Sequence, residues 1–291
     1  IDDAKSLTSV KAPVLTKIAQ RLYFATLYSL ETLDFPELKE DFSLEFYHTQ
    51  GLKELVGFNK LEKLNGNFVL TLAPTPAPSL TSINGLNALK SAAALIVQND
   101  QNTSKLLEIK GLKALTEIQS VLTFSGVPKL KDLSGMANLT TVGQDFNVYN
   151  TGMVKLDVFK KLSRIGNGTT GTFALVGNNE LTDVDGMEAL KTCAQLSISS
   201  NPKLTQINGL TGLEKIALGV NISSNKSLQN VNGLANWTGA TVNVSITSNE
   251  SLIDLCGLTK IAKEGTITNF SVNSNSFNVT LAQLKEGTCK K

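Results

Sequence analysis

Histidine occurs once in the 291 residues of this chain, at position 48. Multi-histidine metal centres are thereby excluded, and a histidine-based triad would have to be built around that single ring. Arginine is almost as scarce, with only Arg21 and Arg164, so the basic side of the balance is nearly all lysine. A nucleic-acid binder uses arginine for bidentate readout and carries a basic stripe; 27 basic against 25 acidic residues give a net charge of only +2. No nucleic-acid partner is expected. Three cysteines are too few for a disulfide scaffold and their spacing matches no zinc site, so neither metal nor cofactor is expected. Long apolar runs are missing too. The longest near-continuous one, Ala92 to Val97, falls well short of the roughly 18 residues that a membrane span requires. The chain opens on Ile1 rather than Met, so an upstream segment is expected to have been removed. With 41% hydrophobic and 18% charged residues the chain is expected to fold, as one domain over 1–291.

What the sequence has in quantity is self-similarity. Four stretches align without gaps: Leu181 to Met187, Leu204 to Leu210, Leu228 to Leu234 and Leu252 to Leu258. Each reads Leu-x-x-apolar-x-Gly-Leu or Met, and a large apolar residue follows three positions on, at Leu190, Leu213, Trp237 and Ile261. The register continues backwards through Gly135-Met136, Gly111-Leu112, Gly85-Leu86 and Gly57-Phe58, and in degraded form to Val14-Leu15. Eleven units result, spaced 23 to 28 residues apart. Ahead of each Leu-x-x-apolar segment stands a short alternating run, such as Leu196-Ser197-Ile198-Ser199, the period-two mark of a strand with one buried face. Asn178, Asn201, Asn225 and Asn249 each fall three residues before the next leucine, where stacked coils would align their side chains in a hydrogen-bonded ladder. One coil cannot bury its leucines alone, but stacked coils share a core. The expected fold is mainly β: a right-handed solenoid of about eleven coils with a parallel sheet, on the order of 50 Å long.

The pattern apolar-x-apolar-x-x-Asn-x-x-Leu-x-x-apolar-x-Gly-Leu-x-x-Leu resembles the leucine-rich repeats of receptor L domains and of secreted bacterial surface proteins, and covers nearly the whole chain. The usual leucine-rich consensus has Asn-x-Leu where this chain has Asn-x-x-Leu, which favours the receptor-L-like, β-helix-like variety over a strongly curved horseshoe. The resemblance implies an exported protein, extracellular or at the cell surface, engaged in recognition or adhesion. It names no ligand.

Residues 262–291 are expected to form the last coil and a cap: Asn278 stands in the leucine position, and Leu281 and Leu284 end the apolar series. A Cys256–Cys289 bridge would tie this cap down and contribute about 3 to 4 kcal/mol in the chain-entropy model; the other reading is two unrelated thiols. Cys193 is expected on an outer connection as a small buried filler.

Strand alternation also predicts what the sheet face presents. The outward residues run from Tyr23 and Ala25, Glu45 and Tyr47, Thr71 and Ala73 to Asn147 and Tyr149, Ala174 and Val176. Small hydroxyls and amides follow, from Ser197 and Ser199 to Ser271 and Asn273. Glycoside chemistry needs two converging carboxylates, and only Glu45 is expected on this face, so no enzymatic activity is expected. Phosphate-cradling signatures are absent, and the isolated repeat glycines are read as turn formers. The candidate ligand-binding residues are Tyr23, Tyr47, His48, Pro76 and Tyr149, with the insertions at 73–78 and 99–104 at the sheet edge. Tyrosine offers rigid contact area to a protein and a stacking surface to a sugar, although cross-strand pairing alone also accounts for exposed tyrosines. The polar lane either binds a polysaccharide or keeps a wide sheet soluble. The expected function is non-enzymatic: recognition or adhesion of a protein partner through the sheet and its edge loops, with glycan binding, or less readily glycan turnover, as the alternative.

Overall fold

A computed structural model describes residues 1–72, 78–239 and 241–291. The protein is mainly β, with parallel strands stacked as a β-solenoid of about eleven turns. Two compact units are formed, one by residues 1–142 with 150–152 and the other by residues 143–149 with 153–291.

In the first unit the longest strand of each coil is β1 (Arg21–Ala25), β2 (Ser43–Tyr47), β3 (Asn67–Thr71), β4 (Ala94–Gln98) or β5 (Leu122–Ser125). They pair in parallel in that order, Tyr23 opposite Glu45, Phe46 opposite Leu70 and Val97 opposite Phe124. Alternation works as the sequence requires: Leu44 and Phe46 are fully buried while Glu45 and Tyr47 are half-buried on the other side. Two-residue strands make the next face, from Glu40–Asp41 through Lys63–Leu64, Ser91–Ala92 and Glu117–Ile118 to Thr141–Val142. A third file pairs Glu54–Leu55, Ser82–Ile83 and Glu108–Ile109. Between the faces lies a core of stacked rings, Phe24 on Phe46 at 5.2 Å and Phe35 on Phe58 at 5.1 Å between centroids.

The second unit carries β6 (Phe146–Tyr149), β7 (Thr172–Val176), β8 (Thr192–Ser199), β9 (Lys215–Ser223), β10 (Thr241–Thr247) and β11 (Thr266–Asn273), again parallel and in sequence order. Leu204, Ile207, Leu210 and Leu213 are fully buried. The Gly-Leu steps are single 3-10 turns, as at Asn208–Leu210 and Asn232–Leu234. The glycine is required by stacking more than by turning: Gly209 has an ordinary φ, but a Cβ there would overlap the carbonyl oxygen of Val184 in the coil below.

The asparagine corner is a continuous chain of hydrogen bonds. Asn178, Asn201, Asn225 and Asn249 are all fully buried. The Asn201 main-chain N–H donates to Asn225 Oδ1 at 3.0 Å, its Nδ2 donates to the carbonyls of Leu175 and Ser199, and its Oδ1 accepts from the Asn178 N–H. The same set repeats one coil on at Asn225 and Asn249. The ladder runs past the expected four to Asn275, and it ends on Asn278, whose Oδ1 accepts from the Asn275 N–H at 3.1 Å. Asn278 in the leucine position is therefore the ladder's last acceptor. Just ahead of the corner, Ser200, Ser224, Ser248 and Ser274 all hold positive φ, between 57° and 60°, and kink the chain out of the strand.

At the C-terminus, helix α1 (Thr259–Glu264) precedes β11, and α2 (Leu281–Lys285) starts with a capping box between Thr280 and Gln283. Cys256 and Cys289 are disulfide-bonded with their Cα atoms 4.8 Å apart, and the Leu255 N–H donates to the Cys289 carbonyl at 2.8 Å. Leu284 of α2 is fully buried. Cys193 lies not on a connection but within β8, opposite Ile216, fully buried, and burial pushes its thiol up to about 12.

Candidate functional site

The sheet face of the first unit gathers Tyr23 and Tyr47. They are diagonal neighbours: Tyr23 stands opposite Glu45, and Tyr47 opposite Ala25. Their ring centroids are 5.4 Å apart with the planes inclined at 39°. Ala25, expected to face outward, is instead covered at 3% exposure: it stands opposite Tyr47 on one side, and on the other the N-terminal segment pairs with it, the Ala25 N–H donating to the Ile1 carbonyl at 3.0 Å. Ala174 in the second unit, flanked by Asn147 and Ser197, is covered to the same degree. On β3 the outward pair is Val69 and Thr71, set by their register with Glu45 and Tyr47, so the expected pairing of Thr71 with Ala73 is two residues out of step. Ala73 and Pro76 lie outside the described residues.

Sequence reasoning missed the group that completes the cluster. The Arg21 guanidinium lies 4.8 Å from the Tyr23 ring centroid and 3.6 Å from the Glu45 carboxylate. Arginine, tyrosine, tyrosine and carboxylate thus form one patch with an apolar surface and both charges. Burial, then the negative charge of Glu45 and the neighbouring Tyr23, push the Tyr47 phenol up, and Arg21 pulls it back in part, so the hydroxyl keeps its proton as a donor at neutral pH. Beside the patch a groove of about 520 Å³ is lined by Ala19, Gln20, Arg21, Phe42, Ser43, Glu45 and Asn67. Phe42 is half-exposed there, at the corner that the next coil fills with Gly66. The scarcity of arginine and an aromatic at a corner position were the available signals.

Below this corner is an anomaly. Asp41 pairs with Leu64 in the file that continues as Ala92, Ile118 and Val142, all buried. It is 1% exposed, and neither carboxylate oxygen has a well-formed hydrogen bond. Burial pushes its pKa from 3.8 up to about 7, against the partial pull of the main-chain amides of Phe42, Leu22 and Ser43.

The other expected site residues have structural surroundings. His48 is exposed with φ at 57°, the left-handed strand-end position that later coils fill with Ser200 and Ser224; its N–H donates to the Thr71 carbonyl at 3.1 Å. Tyr149 belongs to the second unit, where its hydroxyl donates to Asn147 Oδ1 at 2.9 Å and burial, then Asp145, push its phenol up. In the insertion at 99–104, Asn99 and Ser104 are buried: Asn99 Oδ1 accepts from the Thr103 N–H and Ser104 Oγ from the Leu106 N–H. Only its middle, 100–103, is offered to solvent.

Among the described residues no three His, Cys, Asp or Glu side chains converge as metal ligands, and no helix is long and apolar enough to cross a membrane. The chain matches no protein-family model and no curated protein sequence.

Proposed function

We propose that this protein is a non-enzymatic recognition or adhesion module of the leucine-rich-repeat, receptor-L-like kind, exported to the cell surface, where it binds a protein partner. The observation that carries this reading is the Arg21, Tyr23, Glu45 and Tyr47 patch. Interface energy concentrates in arginine and tyrosine anchors, and here one of only two arginines lies over Tyr23, beside Tyr47. Phe42 and the adjoining groove offer an apolar seat next to the charges. Of the two carboxyls at this corner only Glu45 lines the groove, since Asp41 is 1% exposed, and one accessible carboxylate beside an arginine favours binding over turnover.

The test is a paired capture. Immobilised protein and its Tyr23→Ala/Tyr47→Ala variant are exposed to the surface proteins of the source cells, and retained species are identified and titrated. A protein partner whose affinity falls at least tenfold in the variant, about 1.4 kcal/mol, is expected. A partner held equally well by the variant, or no partner protein at all, counts against the reading.

A further inference from the structure

A second groove, of about 600 Å³, opens on the sheet face of the second unit, within the polar lane expected from strand alternation, to which its Asn221 and Ser245 belong. Its origin is one missing side chain. In the outward file of β8, β9 and β10, Gln195, Gly219 and Asn243 stand opposite one another. Gln195 and Asn243 are separated by two strand spacings, roughly 9.6 Å, with nothing but backbone between them. Gly219 is irreplaceable as this floor: its φ is 140°, and a Cβ would overlap the Asn243 carbonyl oxygen. The register slips beside it, between Cys193 and Gln195, and again between Val242 and Asn243; such bulges re-aim side chains at binding sites. Leu218 is thrown outward at the groove's end, 53% exposed, while Asn221 and Ser245 close the other end.

The lining chemistry is selective. None of the groove's side chains carries a charge, so a phosphate, a carboxylate or a cation would lose its hydration without a counter-charge. Asn243 Oδ1 is held by Thr268 Oγ1 at 2.8 Å and Asn269 Nδ2 at 3.0 Å, which fixes that amide and leaves its Nδ2 as the donor for a ligand. Facing amides supply donors and acceptors together, and Leu218 supplies an apolar wall: the complement of a pyranose, with hydroxyls round its rim and a C–H face. We infer that this groove is a binding site for a neutral oligosaccharide, one hexopyranose ring lying on Gly219 between Gln195 and Asn243. It is separate from the protein-partner reading at Tyr23 and Tyr47, and either can fail without the other.

The experiment is titration of the full chain, by calorimetry and saturation-transfer NMR, with maltotriose, cellotriose, mannotriose and chitotriose, each to about 20 mM. Saturable binding of at least one is expected, weakened at least tenfold by Asn221→Ala/Asn243→Ala and unchanged by Tyr23→Ala/Tyr47→Ala. Asn243 is exposed and Asn221 half-buried, so the groove variant keeps its fold, which an unchanged melting temperature verifies. Gln195→Glu, which brings a charge to the rim while conserving shape, is expected to weaken the same sugar. No saturation by any of the four, or loss of binding in the tyrosine variant with retention in the groove variant, overturns the inference.

Discussion

Replacing Asp41 by Asn is expected to stabilise this protein, and to do so only when the carboxyl would be ionised. Asp41 occupies a core file whose other members are Leu64, Ala92, Ile118 and Val142, and the folded protein holds its pKa near 7 instead of 3.8. A folded pKa above the unfolded one means that the native state binds the proton more tightly, so Asp41's own contribution to stability is greatest below about pH 4, declines as pH rises towards about 7, and is level beyond. The climb from 3.8 to about 7 is worth about 4 kcal/mol at some 1.4 kcal/mol per pH unit. An amide of the same shape carries no such ionisation cost. Urea melts of the wild type and Asp41→Asn at about pH 4 and about pH 8 should therefore nearly coincide at the acid value and differ by about 3–4 kcal/mol at the alkaline one. Titration of the labelled carboxyl carbon by NMR gives the pKa directly. Equal differences at both pH values, or a variant weaker at about pH 8, would refute the reasoning, because the carboxylate would then have partners worth more than its desolvation costs.

Asn201→Ala removes the acceptor for the Asn178 N–H and a donor to the Leu175 and Ser199 carbonyls, the latter keeping the Gly177 N–H, and chemical melts should register a loss of about 1–3 kcal/mol; Asn275→Ala, in a half-exposed corner, should cost less. Thiol titration of protein from an oxidising compartment should find no reactive thiol in the native state and one, Cys193, after denaturation; reducing the Cys256–Cys289 bridge should lower stability by about 3–4 kcal/mol without unfolding the coils before it. Gly233→Ala drives a methyl into the Ile207 carbonyl oxygen and should give little or no folded protein, whereas Gly287→Ala, with nothing near the added methyl but a φ of 95°, should cost about 1 kcal/mol in thermal melts.

The core was legible because a repeat states its burial pattern many times. Leu204, Ile207, Leu210 and Leu213 could be assigned from spacing alone, and so could the asparagine corner, since three-residue offsets recur in four gap-free copies. Asn275 escaped because the leucine that should follow it is Asn278, and the signal was anchored on that leucine. The face was less legible. Alternation tells which residues leave the core but not whether neighbours cover them, and Ala25 is covered although it alternates outward, with the N-terminal segment pairing along one side of it and Tyr47 opposite on the other. The β3 frame slipped because the run Asn67 to Leu72 has apolar residues on both faces, Val69 among them, which blurs the period of two. His48 stands out as the lone histidine, and its backbone takes the left-handed strand-end turn that serine takes in later coils.

In a stacked repeat every position belongs to a file, and the file, not the residue type, sets what is ordinary there. Measured that way, three departures stand out, and each is physically costly unless something compensates it. Asp41 puts a carboxyl among aliphatic side chains, next to the corner where Phe42 and Ser43 line a groove. Ala25 opposite Tyr47 gives up outward bulk beside the two rings that Arg21 and Glu45 complete into a patch. Gly219 between Gln195 and Asn243 sacrifices strand propensity and adopts φ of 140°, which opens the second groove. The same files hold Leu64, Thr71 and Thr172 in other coils, so each departure is local. Gly219 lines the second groove, Asp41 adjoins Phe42 and Ser43 of the first, and Ala25 stands opposite Tyr47, so the costly positions lie where the proposed binding would occur.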